Sequence, residues 1–225
     1  MADRVKKIMG GIGVAGLAAF VLARSAQATT VLTFEGLQNF EPINDFYNGG
    51  TGGMGSSGPN YGITFTSDSL AIIAWDYGGR GNFTGSMAPS PCTLGFFISG
   101  RGDTMNVAAG FDTGFSFFYT SPYWEGTVTV WDDLNGGGTQ LASLSLGLTT
   151  DTTGTTGYPY DDWHAQGVAF SGIARSAVFS GVANEIGFDN ITLGSRIPQK
   201  APDSGTTLGL LGLGLAGLFV LRRKI

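Results

Sequence analysis

The sequence is poorest in the residues that cross-link, ligate or catalyse. Its 225 residues hold one cysteine, Cys92, and one histidine, His164. A single cysteine excludes an intramolecular disulfide, so the fold must be held by its core or by a cation. It also excludes the Cys/His clusters of a zinc site. No G-x-S-x-G and no H-E-x-x-H is present, and neither Cys92 nor His164 sits in a nucleophile motif. Between Thr29 and Lys200 basic residues are scarce: Arg80, Arg101, Arg175, Arg196 and Lys200 stand against 15 acids, a net charge near −10. A cationic footprint is missing, which argues against nucleic-acid binding. Lysine and glutamate, the residues of helix surfaces, are nearly absent here, and no long 3.6-residue periodicity replaces them.

The other cations lie at the two ends. Arg4, Lys6 and Lys7 precede an apolar run from Ile8 to Leu22, and Ala26-Gln27-Ala28 supplies an A-x-A cleavage site, so residues 1–28 read as a secretory signal peptide with a helical apolar segment. At the other end, Gly205–Leu221 is 17 residues without a charge, followed by Arg222, Arg223 and Lys224. As a helix that run extends about 25 Å, near the lower limit for a bilayer core. The three cations would stay cytoplasmic as stop-transfer charges. Ala201 and Pro202-Asp203-Ser204-Gly205 precede the run. Motif, apolar helix and basic end in this order closely resemble the PEP-CTERM class of bacterial sorting signals, in the variant written Val-Pro-Asp-Ser-Gly; Ala201 stands where Val is usual. The resemblance implies recognition by a membrane-embedded exosortase acting near Pro202, Asp203, Ser204 and Gly205. It also implies a Gram-negative producer rich in exopolysaccharide, and export across the inner membrane to the cell surface or matrix.

The remaining 29–194 is the size of one domain. Short runs rich in β-branched and aromatic residues alternate with Gly/Asn/Asp/Ser clusters, and predict strands near Val31–Glu35, Gly62–Thr66, Leu70–Trp75, Leu94–Ile98, Met105–Phe111, Phe115–Tyr119, Thr127–Trp131, Gln140–Leu146, Gly167–Phe170, Ser176–Phe179 and Glu185–Leu193. The expected fold is all-β, an antiparallel two-sheet sandwich of jelly-roll type, between a signal helix and a C-terminal transmembrane sorting helix. Asn48–Asn60 and Thr149–Gly157 read as mobile surface insertions, and residues 195–200 as a linker to the sorting signal at 201–225.

Candidate chemistry is sparse. Asp132-Asp133 and Asp161-Asp162 are adjacent pairs whose side chains diverge on a strand, so they read as loop acids and not as a glycosidase pair. Trp75, Trp124, Tyr160 and Trp163 lie beside an acid or His in expected loops; they suit either a sugar-binding surface or the capped ends of a sandwich. In Glu185–Leu193 the two-residue phase breaks at Asp189-Asn190, which predicts a β-bulge. Thr33-Phe34-Glu35-Gly36 and Phe188-Asp189-Asn190-Ile191 resemble the first and last strands of jelly-roll modules such as the MAM and carbohydrate-binding families. That resemblance implies a structural calcium on Glu35 and Asp189, with carbonyls of the Asn48–Gly58 loop completing its shell. The alternative is two ordinary strand-end acids facing water.

The sequence therefore reads as a non-enzymatic structural or interaction protein of the extracellular polysaccharide matrix. Its expected partners are the exosortase, the polysaccharide, and the membrane through its C-terminal helix before processing. A carbohydrate-binding module is the competing reading, and a glycan-active hydrolase a third.

Overall fold

The computed structural model describes residues 29–99 and 102–200; the signal segment and the sorting signal lie outside the described residues. Among the described residues no helix is long and apolar enough to cross a membrane. Eleven strands form there: β1 (Thr30–Leu32), β2 (Ile63–Phe65), β3 (Ser69–Ile73), β4 (Thr93–Phe97), β5 (Asp103–Phe111), β6 (Gly114–Thr120), β7 (Gly126–Trp131), β8 (Gln140–Leu146), β9 (His164–Ala169), β10 (Ala174–Ser180) and β11 (Gly187–Leu193). One sheet runs β3-β4-β11-β6-β9, with β1 also on β11; the other runs β2-β5-β10-β7-β8. All strand pairs are antiparallel. From β4 to β11 the chain passes back and forth between the sheets in the double wrap of a jelly roll.

Alternation drives this arrangement. In β7, Val128 and Val130 turn inward while Thr127 and Thr129 stay half-exposed. In β6, Phe115 and Phe117 point inward and meet Phe179 of β10 and Phe188 of β11. The Phe179 and Phe188 rings are 4.7 Å apart, edge to face, and join the two sheets. β4 and β11 are buried on both faces. Inward, Gly95 of β4 lets the Phe34 ring come so near that a Cβ would lie 2.7 Å from it. Outward, Leu94 and Phe96 join Leu70, Ala74 and Phe83 in a second apolar cluster under the loops that carry Tyr160 and Trp163.

Two segments depart from the sequence reading. The glycine-rich stretch expected as a loose insertion is pinned by bridges between Asn48 and Asn60 and between Thr51 and Ser57. Its anchor is the buried Glu41 carboxylate, which accepts the backbone N–H groups of Gln38, Met54 and Ser56 and the Ser56 hydroxyl. Burial opposes ionisation of Glu41, yet these bonds together hold its carboxyl below the usual range. The stretch expected as a linker is docked on the outer face of the first sheet. The Ser116 hydroxyl donates to the Ser195 carbonyl (2.8 Å), and Gln199 N–H donates to Thr192 Oγ1 (3.1 Å). Gly167 leaves room for it, since a Cβ there would lie 2.0 Å from the Arg196 carbonyl oxygen.

Asp103, at the start of β5, is 7% exposed and ties the turn before β3 through Thr66 Oγ1 (3.1 Å) and the Ser69 hydroxyl. Burial pushes its carboxyl up to about 7, against the pull of those hydrogen bonds. The fold thus favours the protonated acid. Its contribution to stability is complete below the unfolded value of 3.8 and is lost as pH rises toward 7. Asp103→Asn should therefore melt progressively higher than the wild type as pH goes from 4 to 7, with a level difference beyond. Paired thermal melts across that window check it; a difference independent of pH would show that Asp103 ionises normally.

Candidate functional site

β11 is the central strand of its sheet, and midway along it the backbone breaks step. Asn190 adopts a left-handed φ of 47°, and pairing with β6 shifts register between Asp189 and Thr192. On the opposite edge of β11 two short strands share the available backbone. β4 pairs at Gly187 and Phe188, and β1 at Ile191 to Leu193. The bulge lies at the seam between them, where β1 ends and β4 begins.

Three chain segments bring polar groups to this seam. Phe34 leaves β1 with φ of 61°, a costly conformation for a bulky residue. It is held by its buried ring and by its N–H donating to the Tyr47 hydroxyl at 2.6 Å. The turn points Glu35 toward the entry to β4, where Glu35 Oε1 accepts the N–H groups of Cys92 (3.0 Å) and Thr93 (2.9 Å). Asp189 is fully buried. Its oxygens accept Ser90 N–H and Asn190 N–H, each at 2.7 Å.

The Ser90 hydroxyl stands between the two acids with four acceptors in reach. Asp189 Oδ1 and Oδ2 are each at 2.8 Å, Glu35 Oε1 at 3.2 Å and the Thr33 carbonyl at 3.1 Å. One hydroxyl carries one proton, so the cluster has fewer donors than acceptors. Asn190 Oδ1, also buried, has no hydrogen-bond partner. Burial pushes Asp189 up to about 8, against the bonds from Ser90 and Asn190, and the Glu35 charge adds to the rise. Tyr47 is raised too, by its burial and by the nearby acids. Among the described residues no group of three or more His, Cys, Asp or Glu is placed to hold a metal. A cation here would draw on two carboxylates and neutral oxygens, a donor set that fits a hard ion such as calcium. The neighbours come from residues 89–93; the Asn48–Gly58 loop is committed instead to Glu41.

Cys92 closes the cluster, its thiol donating to Glu35 Oε2 at 2.6 Å. The sequence showed no acid near it. Burial, together with that bond to Glu35, raises the thiol to about 11, which favours its protonated form. His164 pairs instead with Asp162 (3.3 Å) at the start of β9, with β6 and β11 between it and β4 in the sheet. The paired acids serve their own loops. Asp132 accepts Thr139 N–H, Asp133 accepts Leu134 N–H, Asp161 holds Thr84, and Asp162 accepts Thr150 N–H.

A second feature occupies the outer face of the same sheet at the start of β11. Ile72, Leu94 and Phe96 floor a groove of about 220 Å³, walled by Phe40, Arg80, Asn82, Phe83, Tyr160, Asn184 and Glu185. Phe40 is 42% exposed. Tyr160 donates its hydroxyl to Glu185 Oε2 at 2.8 Å, and the Tyr123 ring meets its edge at 6.1 Å. Of the four aromatics singled out in the sequence, Tyr160 lines this groove. Trp163 packs edge-on to Phe83 with its indole N–H buried and unpartnered. Trp75 and Trp124 are half-exposed on separate loops outside the groove lining. Phe40, Arg80 and Asn184 carried no sequence signal, since only the fold draws their loops together.

Several solved structures resemble part of this chain. A family 6 carbohydrate-binding module from Cellvibrio mixtus lichenase 5A, in complex with cellotriose, is 13% identical, with 57% of this chain and 88% of that one covered and a TM-score of 0.36. The C-terminal family 6 module of LamC from Zobellia galactanivorans is 16% identical over 56% of this chain and 98% of its own, with a TM-score of 0.30. A family 43 arabinoxylan arabinofuranohydrolase from Bacillus subtilis, in complex with cellotetraose, is 18% identical over 58% of this chain but 25% of its own, at 0.40. At such scores the likeness carries no argument for function. No curated protein matches the chain. The VPDSG-CTERM motif family matches residues 202–225, beginning at the proline that follows Ala201, and the chain therefore carries a PEP-CTERM-type sorting signal.

Proposed function

We propose that this is an exported, non-enzymatic interaction protein of the Gram-negative cell surface or its polysaccharide matrix, and that it binds glycan in the groove beside Tyr160. The sorting signal supports the destination. The groove supports the activity: the exposed ring of Phe40 and the half-buried ring of Tyr160 stand beside the hydrogen-bonding groups of Asn82, Asn184, Arg80 and Glu185, the mixture that a sugar's apolar face and hydroxyl rim require. Glu185 is the one acid lining it, and glycoside hydrolysis ordinarily needs two. Binding is thus favoured over turnover.

Residues 29–200 should bind polysaccharide in a pull-down, and Tyr160→Ala should weaken binding about tenfold or more, by analogy with the loss of one stacking platform. Loss on Trp124→Ala or Trp163→Ala with Tyr160→Ala neutral would move the site away from the groove. Binding with no glycan would leave a purely structural role.

Exosortase processing near Pro202, Asp203, Ser204 and Gly205 belongs to the same proposal, with Arg222, Arg223 and Lys224 retaining the chain until cleavage. Replacing those three cations by Ser should disturb retention and change the mass of the mature protein recovered from its host. Unchanged mass and surface yield would refute this part.

For the seam, calcium is the proposed occupant. When bound it supplies the positive charge that one serine proton cannot, and Glu35, Asp189 and Asn190 Oδ1 are the oxygens offered to it. Calcium at a hundredfold excess over its dissociation constant should stabilise residues 29–200 by about 2.7 kcal/mol, a rise in melting point of about 5–10 °C over chelator. The Glu35→Gln, Asp189→Asn double variant should lose that response. In chelator the wild type should also weaken as pH rises through about 8, because Asp189 is favoured protonated in the fold. A calcium shift that survives the double substitution, or no shift at all, rules the site out.

A further inference from the structure

Arg80 is the one basic residue lining the groove. Its backbone is clamped from several sides. The N–H groups of Arg80 and Ile73 both donate to Asn39 Oδ1, each at 3.1 Å, and Gly81 N–H donates to the Ile73 carbonyl at 2.9 Å. The flanking glycines are forced by this clamp. A Cβ on Gly79 would lie 2.0 Å from the Ile73 carbonyl oxygen, and one on Gly81 2.2 Å from the Phe83 ring. The side chain, by contrast, is exposed, and its guanidinium makes no hydrogen bond or ion pair with any described residue; among them, the contact of a basic side chain with a carboxylate is that of His164 with Asp162. The other described cations, Arg175, Arg196 and Lys200, also lack a carboxylate partner, and Arg80 is set apart by its place in the groove. Glu185, the acid that lines the groove, accepts the Tyr160 hydroxyl.

We infer that the groove selects a sugar residue bearing a carboxylate, a uronic acid of an acidic polysaccharide, with the Arg80 guanidinium as its partner. The inference rests on the groove being the glycan-binding face. A planar fork of N–H donors matches the two oxygens of a carboxylate, and fixing its backbone lowers the ordering cost of that pairing. The ring faces of Phe40 and Tyr160 take the sugar body, and Asn82 and Asn184 supply groups for its hydroxyls. The acidic surface elsewhere does not forbid this, because at physiological ionic strength charges beyond about 8 Å are largely screened.

The test compares binding of the full chain, in detergent micelles, to short oligogalacturonides, to their carboxyl-reduced counterparts and to a sulfated neutral oligosaccharide. The uronate should bind about tenfold or more tightly than the reduced sugar, the gain expected of a charge-assisted pair. Arg80→Gln should abolish this preference while leaving weak binding of the reduced sugar, and Arg80→Lys should retain part of it. Equal binding of charged and reduced sugars, sensitive to Tyr160→Ala, would overturn the uronate assignment and leave the groove standing. Equal binding of uronate and sulfated sugar would also overturn it. Binding indifferent to both Arg80→Gln and Tyr160→Ala would remove the groove itself, and circular dichroism of each variant separates these results from misfolding.

Discussion

A buried carboxylate in the middle of a central strand governs much of this structure. Asp189 sits where β11 must pair with β1 along one half of an edge and β4 along the other. Two strand ends meeting there would leave unpaired N–H groups in a buried place, which a fold tolerates poorly. Asp189 and Glu35 answer that need. Between them they accept the backbone N–H groups of Ser90, Asn190, Cys92 and Thr93. The bulge at Asn190 is what turns these oxygens into the gap. The cost is a pair of acids near one another with one hydroxyl proton between them, and the same geometry that closes the sheet creates its demand for positive charge.

Along the outer face of this sheet, three different coverings follow one another down β11. The loops bearing Phe83 and Trp163 cover Leu94 and Phe96 of β4 beside its beginning, the segment ending at Cys92 covers Asp189, and residues 195–199 cover Thr192. This is why β11 is buried on both faces although three of its outward or bulged residues, Asp189, Asn190 and Thr192, are polar. Asp189 and Thr192 find partners in the covering segments, and Asn190 does so through its Nδ2, which donates to the Pro89 carbonyl. The groove beside Tyr160 exists because the first covering is incomplete, leaving Phe40 open between loops beside the buried Phe96.

Strands were legible in the sequence because side-chain alternation is a local property. Every segment from Val31–Glu35 to Glu185–Leu193 contains an observed strand or overlaps one, and the missed phase in the last was visible as a three-residue step. The convergence of Glu35 with Asp189 was legible only through likeness to other first and last strands. Ser90, which joins them, gave no signal: a serine between two prolines reads as a turn, and its role depends on a sheet partner 99 residues away. Glycine content misled in the Asn48–Asn60 stretch, where the close approach of Glu41, and not looseness, excludes side chains. A Cβ on Gly52 would lie 2.4 Å from Glu41 Oε1. The docked residues 195–199 were equally silent, since Ser-Arg-Ile-Pro-Gln has no periodicity to show that a sheet lies beneath it.

That docked strap sets a direction. It returns to β11 at Thr192, at the end opposite Gly187, where the groove begins. Five residue steps of about 3.3 Å separate Thr192 from Gly187 by about 16 Å. A chain held through residue 200 is therefore held by the foot of the sandwich, and the Tyr160 end projects away from whatever holds it.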